Sequence, residues 1–495
     1  MNIKRTLAAL LALLMTTAAL ASCSDSGDSA KETTQAQAGE TTAPAETTTA
    51  KLTPDLPALD FKGAEFLILT SGEADTNGYH WQTYDVYAEE ENGDAINDAI
   101  YARNMYVNET YGVEIKEKQS EATTLAEAQR VILAGEDVYK AIMTNLASHA
   151  TLAQSGQTLD LYTVPHIDLE QPWWDDNLVA NLSVNGKMNY AAGDITVIDN
   201  DSIWVLMFNK QAYANFGFDN LYELVDSGAW VMDKFIEISM SSAADLNGDG
   251  VMKWEDDRFG LITNPWTAIA TLYSSDMHLT TKNDKDLPVF DFDIYRGMVV
   301  AETVGAIMNA PENLVQGQGA GSGITNDNTR ETFEAGRGLF FGEVLQTLKR
   351  MRASETAFGL TPWPKLNEEQ ETYKSVCIAN ACKAIAIPVT VANVEMSGAI
   401  LEALAAESMY TLTPAYYETA LKEKYMRDSE SVKMLDVILE NLSVDLGFTN
   451  DWASLATNIR TSVAKNDGQL VSIIDSNKTA FETAMQKTID AYLAN

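Results

Sequence analysis

Short apolar runs alternate with amphipathic helical stretches from Ala64 onward, and this alternation constrains the fold more than any other feature of the sequence. Strands that alternate with helices are typical of a parallel sheet covered by helices on both faces. The pattern predicts strands in residues 66–70, 113–116 and 139–144, and helices in residues 94–111 and 125–133. Ligands of such sheets bind beyond the carboxyl ends of the strands, which here are Thr70-Ser71-Gly72 and Asn145-Leu146-Ala147-Ser148.

A second α/β region is predicted after an extended passage through residues 195–208. Its clearest elements are residues 230–240, 259–261 and 336–348, and the last third of the chain is helical. In the last helix, apolar residues repeat at three-, four- and seven-residue steps, which predicts a buried face formed by Ile474, Phe481, Met485, Ile489 and Tyr492. A chain of 495 residues is long enough for more than one domain, at roughly 150 residues per domain.

The charge of the chain excludes several classes of partner. Asp and Glu number 71 against 34 Lys and Arg, which gives a net charge of −37. Nucleic acids need compensating positive charge, so the sequence predicts no nucleic-acid binding. Anionic membrane surfaces are excluded as a binding partner of the folded body for the same reason. Three Cys and four His leave little for a disulfide scaffold or a Cys/His zinc site.

The first fifty residues predict export and anchoring. Residues 1–22 have the features of a signal peptide, with Lys4 and Arg5 before an apolar stretch. Leu20-Ala21-Ser22-Cys23 resembles the bacterial lipobox, which predicts lipidation of Cys23; the alternative is an ordinary secreted protein with an incidental Cys. Residues 24–51 lack aromatic and large aliphatic side chains, which predicts a flexible tether; with the lipidated Cys it would span residues 23–52. We expect a protein on the outer face of a cell membrane, attached only through its lipid.

A twelve-residue segment fits a calcium-binding loop. Oxygen-bearing side chains fall at positions 1, 3, 5 and 12, a backbone carbonyl at position 7, and Gly at position 6, where the loop turns sharply. Ca²⁺ prefers six to eight oxygen ligands, and the predicted ones are Asp245, Asn247, Asp249, the Val251 carbonyl and Asp256. We expect a structural ion; the alternative is a solvated acidic turn.

Several of the nine tryptophans stand beside polar and small residues rather than in apolar stripes. Aromatic faces stack on the C–H-rich faces of sugar rings, while neighbouring carboxylates and amides bond the hydroxyl groups. This pattern favours a saccharide ligand, and packing in the core is the alternative for each tryptophan. The residues concerned are Trp81, Trp173, Trp174, Trp266, Trp363 and Trp452.

The body of the chain resembles the family 1 extracellular solute-binding proteins of ABC importers, the maltose-binding-like class, in the form of lipoproteins of gut Firmicutes. The resemblance is carried by Asn185-Gly186-Lys187 followed by residues 205–210, by residues 333–340, which look like a helix start, by residues 358–364, and by Ile387-Pro388 before a helix in residues 394–406. It implies an α/β fold of two lobes, each a mostly parallel sheet flanked by helices, with extra C-terminal helices. Lobe 1 would comprise residues 53–198 and 364–412, and lobe 2 residues 199–363 and 413–495.

The family also implies crossings between the lobes in residues 185–210 and 358–364. A small solute would be held in the cleft between them by a monomer and released to the importer's permease subunits. Trp266 and Glu343 lie where relatives present residues to the cleft, and the expected ligand contacts are Trp81, Asn145, Trp173, Trp174, Trp266 and Glu343. Residues 416–445 are longer and more helical than in the shorter sugar binders.

The solute class stays open between an oligosaccharide, which we favour, and a peptide or amino sugar. A surface glycosidase is a further alternative, since it would use paired carboxylates and the same aromatics. No phosphate-binding loop and no hydrolase or metalloprotease motif occurs in the sequence. Cys377 and Cys382 are predicted either to form a disulfide or to remain two buried thiols.

Overall fold

Two sheets with flanking helices form the body of the protein. The computed structural model describes residues 51–73, 81–351, 354–417 and 429–494. The predicted signal peptide, Cys23 and nearly all of the tether lie outside these residues. The strands are β1 Ala64–Thr70, β2 Val113–Gln119, β3 Ala141–Asn145, β4 Trp204–Asn209, β5 Phe259–Thr263, β6 Thr280–Lys282, β7 Pro288–Phe290, β8 Leu314–Val315, β9 Gly338–Val344, β10 Phe358–Thr361, β11 Ser375–Val376, β12 Lys383–Ala386 and β13 Leu442–Ser443.

The helices cover both sheets and dominate the end of the chain. They are α1 Ala95–Tyr111, α2 Thr124–Leu133, α3 Leu146–Gln154, α4 Asp176–Leu182, α5 Ile198–Asp201, α6 Lys210–Phe216, α7 Leu221–Asp226, α8 Met232–Ser242, α9 Thr267–Ser274, α10 Ile294–Asn309, α11 Asn326–Glu334, α12 Thr347–Arg350, α13 Val394–Ser408, α14 Leu412–Tyr416, α15 Ser429–Glu440, α16 Leu446–Asn450, α17 Leu455–Lys465 and α18 Leu470–Ala494. The five apolar residues predicted for the buried face of the last helix are all buried. Within the described residues, no helix is both long and apolar enough to cross a membrane.

The first sheet has the strand order β12-β3-β1-β2. Strand β1 pairs in parallel with β2 and β3, as the alternation of strands and helices predicts, and β12 joins antiparallel to β3 from far along the chain. Local chemistry fixes the elements: Asp94 caps helix α1 by accepting from the N–H groups of Ile96 and Asn97, and Gly112 ends it with a φ of 63°.

The second sheet has the order β10-β4-β9-β5-β8. Strand β5 pairs in parallel with β8 and β9, whereas β4 runs antiparallel to both β9 and β10. This sheet is therefore mixed in its pairing, but four of its five strands run in the same direction and only β4 is reversed, so the expectation of a mostly parallel sheet holds.

Two sequence interpretations are corrected by this sheet. Residues 333–340 do not start a helix, because α11 ends at Glu334 and Gly338 begins strand β9. Residues 358–361 form an edge strand instead of a crossing, and Trp363 after them is buried and donates its indole N–H to Thr271. The chain leaves the second sheet later, between Lys365, whose N–H bonds the Trp230 carbonyl, and strand β12.

The chain passes from the first sheet to the second just before β4, and it returns after Lys365. These two passages, the outgoing and the returning one, lie side by side between the sheets. Ile203 forms an antiparallel bridge with Cys377, and the Ile378 N–H donates to the Ser202 carbonyl at 3.1 Å. Because these bonds are between backbone groups of the two passages, they tie the connections together whatever side chains surround them.

A buried carboxylate at the end of the first passage binds three distant segments. Asp201 is fully buried and accepts from the hydroxyls of Tyr84 at 2.7 Å and Tyr416 at 2.9 Å. The Lys349 ammonium completes the group at 2.8 Å and lies over the Tyr84 ring. A buried charge is stable only when paired and hydrogen-bonded, so this cluster fixes how the four segments meet.

Candidate functional site

A cleft of about 840 Å³ lies between the two sheets. The first sheet contributes Asn145 at the end of β3 and Lys383 at the start of β12, and the second contributes Glu343 near the end of β9. Segments that follow β5 and β8 line it as well, through Trp266 and Gln316. The cleft therefore lies at the carboxyl ends of parallel strands, where the sequence pattern predicts a ligand site. Its volume is in the range of pockets that bind small molecules.

Four of the six predicted ligand-contacting residues line this cleft: Trp81, Asn145, Trp266 and Glu343. Each is placed by local structure. Asn145 caps helix α3 by accepting from the Ser148 N–H at 2.9 Å, and the Trp266 N–H donates to the side chain of Asn264 at 2.9 Å. These bonds hold the residues at the strand ends, where their side chains border the cleft.

The other two, Trp173 and Trp174, belong to the core, and the expectation that they face the cleft is wrong. They are 1% and 3% exposed, and their indole N–H groups donate to the two oxygens of Glu402 at 3.0 and 2.9 Å. Burial raises the pKa of Glu402 to about 7, an effect that these hydrogen bonds oppose. The polar neighbours in the sequence are misleading here, because the partner of both indoles lies more than 200 residues away in the chain.

Glu343 is the one carboxyl group among the described residues that line the cleft. One oxygen accepts from the Asn264 amide at 2.7 Å and the other from the Val344 N–H at 3.0 Å. Burial raises its pKa to about 7, although both hydrogen bonds and the charge of Arg350 favour the ionised form. Near neutral pH the carboxyl group can therefore accept or donate a hydrogen bond, as a sugar hydroxyl requires.

Trp266 carries a cation on one face. The guanidinium carbon of Arg460 lies 4.2 Å from a ring centroid of Trp266. Arg460 comes from helix α17, which packs on helices α9 and α10 at the second sheet. A ligand that stacks on this tryptophan must use the remaining exposed surface of the ring, beside the guanidinium group.

Sequence reasoning missed the cationic part of the lining. The five basic residues come from four separate segments of the chain, so no spacing in the sequence brings them together. They are Arg330, Arg350, Lys383, Arg460 and Lys465. Trp204 was also missed, since it lies within an apolar strand; its indole N–H is buried at the cleft with no hydrogen-bond partner among the described residues.

Acidic side chains of the predicted calcium loop accept hydrogen bonds from backbone N–H groups of the same loop. Asp245 accepts from the N–H groups of Gly248 and Gly250 at 2.7 Å each, and Asp249 pairs with Lys253. Asp256 is exposed, whereas buried Asp257 closes the loop by accepting from the Leu246 and Lys253 N–H groups. No group of three or more His, Cys, Asp or Glu side chains that could hold a metal ion occurs in the part of the chain that is described. Asp245, Asn247 and Asp249 thus bond to backbone N–H groups within the loop, whereas the predicted closing ligand, Asp256, lies exposed to solvent.

Cys377 and Cys382 are buried free thiols, which decides between the two alternatives that the sequence left open. Both lie near the returning passage, next to Ile378 and Ala381 of the cleft lining. A hydrogen bond to Cys377 and burial together raise the pKa of the Cys382 thiol, so it is a poor nucleophile.

Comparison with known proteins gives structural matches only. No protein-family model matches this sequence, and the search of curated proteins gives no match. The GacH receptor of Streptomyces glaucescens, solved unliganded and with acarbose, matches with a TM-score of 0.52 at 14% identity, over 87% of this chain and 97% of that one. The maltose/maltodextrin-binding domain MalE of Bdellovibrio bacteriovorus, solved with maltotriose, matches with a TM-score of 0.52 at 11% identity, over 86% and 98%.

A family 1 extracellular solute-binding protein from Bifidobacterium longum subsp. infantis matches with a TM-score of 0.50 at 15% identity, over 88% of this chain and all of that one. These three proteins are described as receptors or binding proteins. The matches extend over most of the chain, and at these identities they establish the fold. The protein has the two-lobed fold of the extracellular solute-binding proteins, as its resemblance to family 1 implies.

The raised pKa of Glu343 predicts a pH-dependent stability. Its carboxyl group titrates at about 7 when folded, against an ordinary value of 4.5, so the folded state binds the proton more tightly. The stabilisation is fully present below about pH 4.5 and is lost as the pH rises through about 7. Glu343→Gln has no group that titrates at this position. Between about pH 5 and pH 8, its unfolding free energy should therefore fall by about 1–3 kcal/mol less than that of the wild type.

Urea unfolding at the two pH values measures this difference. The pH dependence of the unfolding free energy that remains in Glu343→Gln comes from other groups with shifted pKa values, among them Glu402, whose pKa is similarly raised. If the unfolding free energy depended on pH equally in the wild type and the variant, the carboxyl group of Glu343 would be ionised in the folded protein throughout this range.

Proposed function

We propose that this protein is the solute-binding receptor of an ABC importer and captures an oligosaccharide in the cleft between its two sheets. The observation that carries the proposal is the cleft itself: it lies at the strand ends and combines Trp81 and Trp266 with Asn145, Asn264 and Glu343. Tryptophan faces suit sugar rings, and amide and carboxyl groups suit their hydroxyls. The related folds that bind acarbose and maltotriose support the same class of solute.

The cleft argues for binding rather than catalysis. Retaining and inverting glycosidases commonly need two carboxyl groups that flank the scissile bond, about 5–10 Å apart. Glu343 is the single carboxyl group among the described lining residues, and its oxygens already accept from Asn264 and Val344. We therefore propose a receptor that is not an enzyme, works as a monomer, and releases its solute to permease subunits. Receptors for peptides or amino sugars remain alternatives that a ligand screen separates.

Truncating the cleft tryptophan should weaken binding. Trp266→Ala removes an aromatic surface at the ligand, and buried aromatic anchors commonly cost about 2 kcal/mol, or roughly thirtyfold in affinity. Titration calorimetry with the best ligand of an oligosaccharide panel measures the loss. Trp254→Ala is the matched control, since Trp254 is a partly buried tryptophan outside the cleft lining, and it should leave affinity unchanged.

Solute binding should also close the lobes, which X-ray scattering would detect as a smaller radius of gyration. Normal affinity in Trp266→Ala with closure intact would keep the cleft and exclude this tryptophan as an anchor. Absence of any saccharide ligand, with binding of a peptide instead, would replace the solute class. Cleavage of an oligosaccharide by the purified protein would overturn the receptor assignment.

We also propose that the receptor is anchored at the outer face of the membrane through a lipid on Cys23, as its lipobox-like sequence indicates. Stable anchoring takes more than one acyl chain, and the tether is too polar to hold the membrane alone. Cys23→Ser should therefore appear in the soluble fraction with an unchanged melting temperature. Retention of the variant in carbonate-washed membranes would contradict the anchor.

We further propose that the Asp245–Asp256 loop takes Ca²⁺ as a structural ion, on the strength of its ligand spacing and of Gly248 and Gly250, which hold positive φ angles of 74° and 79°. A ligand that binds only the folded state stabilises it by roughly 2.7 kcal/mol at a hundred times its Kd. Ca²⁺ should raise the melting temperature of the wild type and of the exposed-site control Asp284→Ala, but not that of Asp249→Ala. An equal response in all three proteins would exclude the loop as the site.

A further inference from the structure

The cleft reverses the charge balance of the rest of the chain. Acidic residues outnumber basic ones by 71 to 34 in the whole sequence. Around the cleft, five basic side chains stand against the single carboxyl group of Glu343 among the described residues, namely Arg330, Arg350, Lys383, Arg460 and Lys465. Glu343 is also the acid whose burial raises its pKa to about 7, so it contributes less than a full negative charge near neutral pH. The positive lining is therefore a local property of the cleft.

Two of these cations are held by carboxylates just outside the lining. Arg330 pairs with Glu334 at 2.6 Å and with Asp327 at 3.3 Å, and Arg350 also pairs with Asp327. These pairs orient the guanidinium groups and offset part of their charge. Lys383 is buried in strand β12 and donates to the Ser71 hydroxyl at 2.7 Å.

Arg460 differs from them, because its guanidinium group forms no ion pair among the described residues. Asp451 is the acid that acts electrostatically on Arg460, and its carboxylate accepts from the N–H and hydroxyl of Thr457, at 3.2 and 2.7 Å. The guanidinium carbon of Arg460 lies over the Trp266 ring, 4.2 Å from a ring centroid. A guanidinium group stacked on an aromatic ring is held in place through its face, while its N–H donors point outward from its edge.

Unpartnered donors elsewhere in the lining add to this imbalance. The Trp204 indole N–H belongs to a side chain only 2% exposed and has no acceptor among the described residues. The buried Arg330 Nε–H has no acceptor among them either. The Asn326 side-chain oxygen is the corresponding acceptor without a donor. Donors left unpaired in a buried site are costly, so a complementary ligand brings acceptors to them.

We propose that the solute is an acidic saccharide, one that carries a carboxylate or a sulfate group, and that Arg460 binds this group beside Trp266. The inference rests on the proposed function and specifies its solute. An anion accepts two parallel hydrogen bonds from an arginine edge, which neutral hydroxyl groups do not match. The surrounding cations raise the local concentration of an anionic solute that the acidic body otherwise repels.

The test compares ligands of equal length and different charge. Titration calorimetry of the full chain would use a galacturonate trisaccharide, a sulfated disaccharide with its unsulfated parent, and neutral maltotriose. We expect an acidic probe to bind at least about tenfold more tightly than its neutral counterpart, since hydrogen bonds to charged groups are each worth roughly ten- to a hundredfold. The advantage should shrink when NaCl is raised to about 0.5 M, because salt screens the partly exposed cations. The two acidic probes separate carboxylate from sulfate.

Arg460→Gln should remove most of the advantage of the acidic probe over its neutral counterpart. Lys487→Gln is the matched control, because it removes one positive charge from an exposed site on the last helix, outside the cleft lining, and it should retain the preference. Arg460→Lys keeps the charge without the planar fork and should recover only part of the affinity.

Three outcomes would overturn the proposal. Binding of neutral saccharides as tightly as acidic ones would contradict the acidic solute and leave the receptor function standing. An equal preference in Arg460→Gln and the wild type would contradict the assignment of Arg460. Binding of no saccharide at all would remove the proposed function together with this inference. The comparison of probes uses only the wild-type protein. It therefore tests the acidic solute even if Arg460→Gln does not fold.

Discussion

The buried carboxylate of Asp201 is the interaction on which the arrangement of the two sheets depends. Tyr84 reaches it from the segment after β1, Lys349 from the helix after β9, and Tyr416 from the C-terminal helices, so it joins the first sheet, the second sheet and the end of the chain. A charge with no exposed surface is tolerated only with such partners, and each partner has few other positions from which it could reach the carboxylate. The backbone bridge between Ile203 and Cys377 lies directly after it. The cleft lies beside this cluster, since Arg350, the neighbour of Lys349 in helix α12, belongs to its lining.

Much of the fold follows from the sequence because it rests on local chemistry. The first three strands and two helices are predicted within a few residues, since apolar periodicity, the Asp94 cap and Gly112 all act over short distances. The second sheet is predicted less well. Strand β4 pairs with β9 and β10, more than 100 residues further along the chain, so nothing near β4 in the sequence indicates antiparallel pairing. Residues 358–361 look like a connecting passage because their partner strand is equally distant.

The same distinction between local and distant contacts decides which residues of the candidate site are predictable. Trp266 is predictable because Asn264-Pro265 ends the strand before it and places the indole at the rim. Trp173 and Trp174 have the same polar neighbours in the sequence, but Glu402, far along the chain, accepts from both indoles and keeps them in the core. A polar neighbourhood in sequence therefore does not distinguish a tryptophan that faces a ligand from one whose N–H is satisfied inside. Nothing near Arg460 in the sequence indicates that it lines the cleft, because its position there depends on contact with the distant Trp266 ring.

Under the proposed function, the distribution of charge would also link binding to closure. Lys383 belongs to the first sheet, whereas Arg330, Arg350 and Arg460 lie on elements of the second. Closure of the lobes without a solute would bring these like charges together in a space that loses water, and their repulsion would grow as the effective dielectric falls. An acidic saccharide between them turns that repulsion into attraction on both sides. A ligand shifts a conformational equilibrium only by the difference in its affinity for the two states. Under the proposed function, a negative group on the solute provides that difference, because it contacts cations of both lobes only when the cleft is closed.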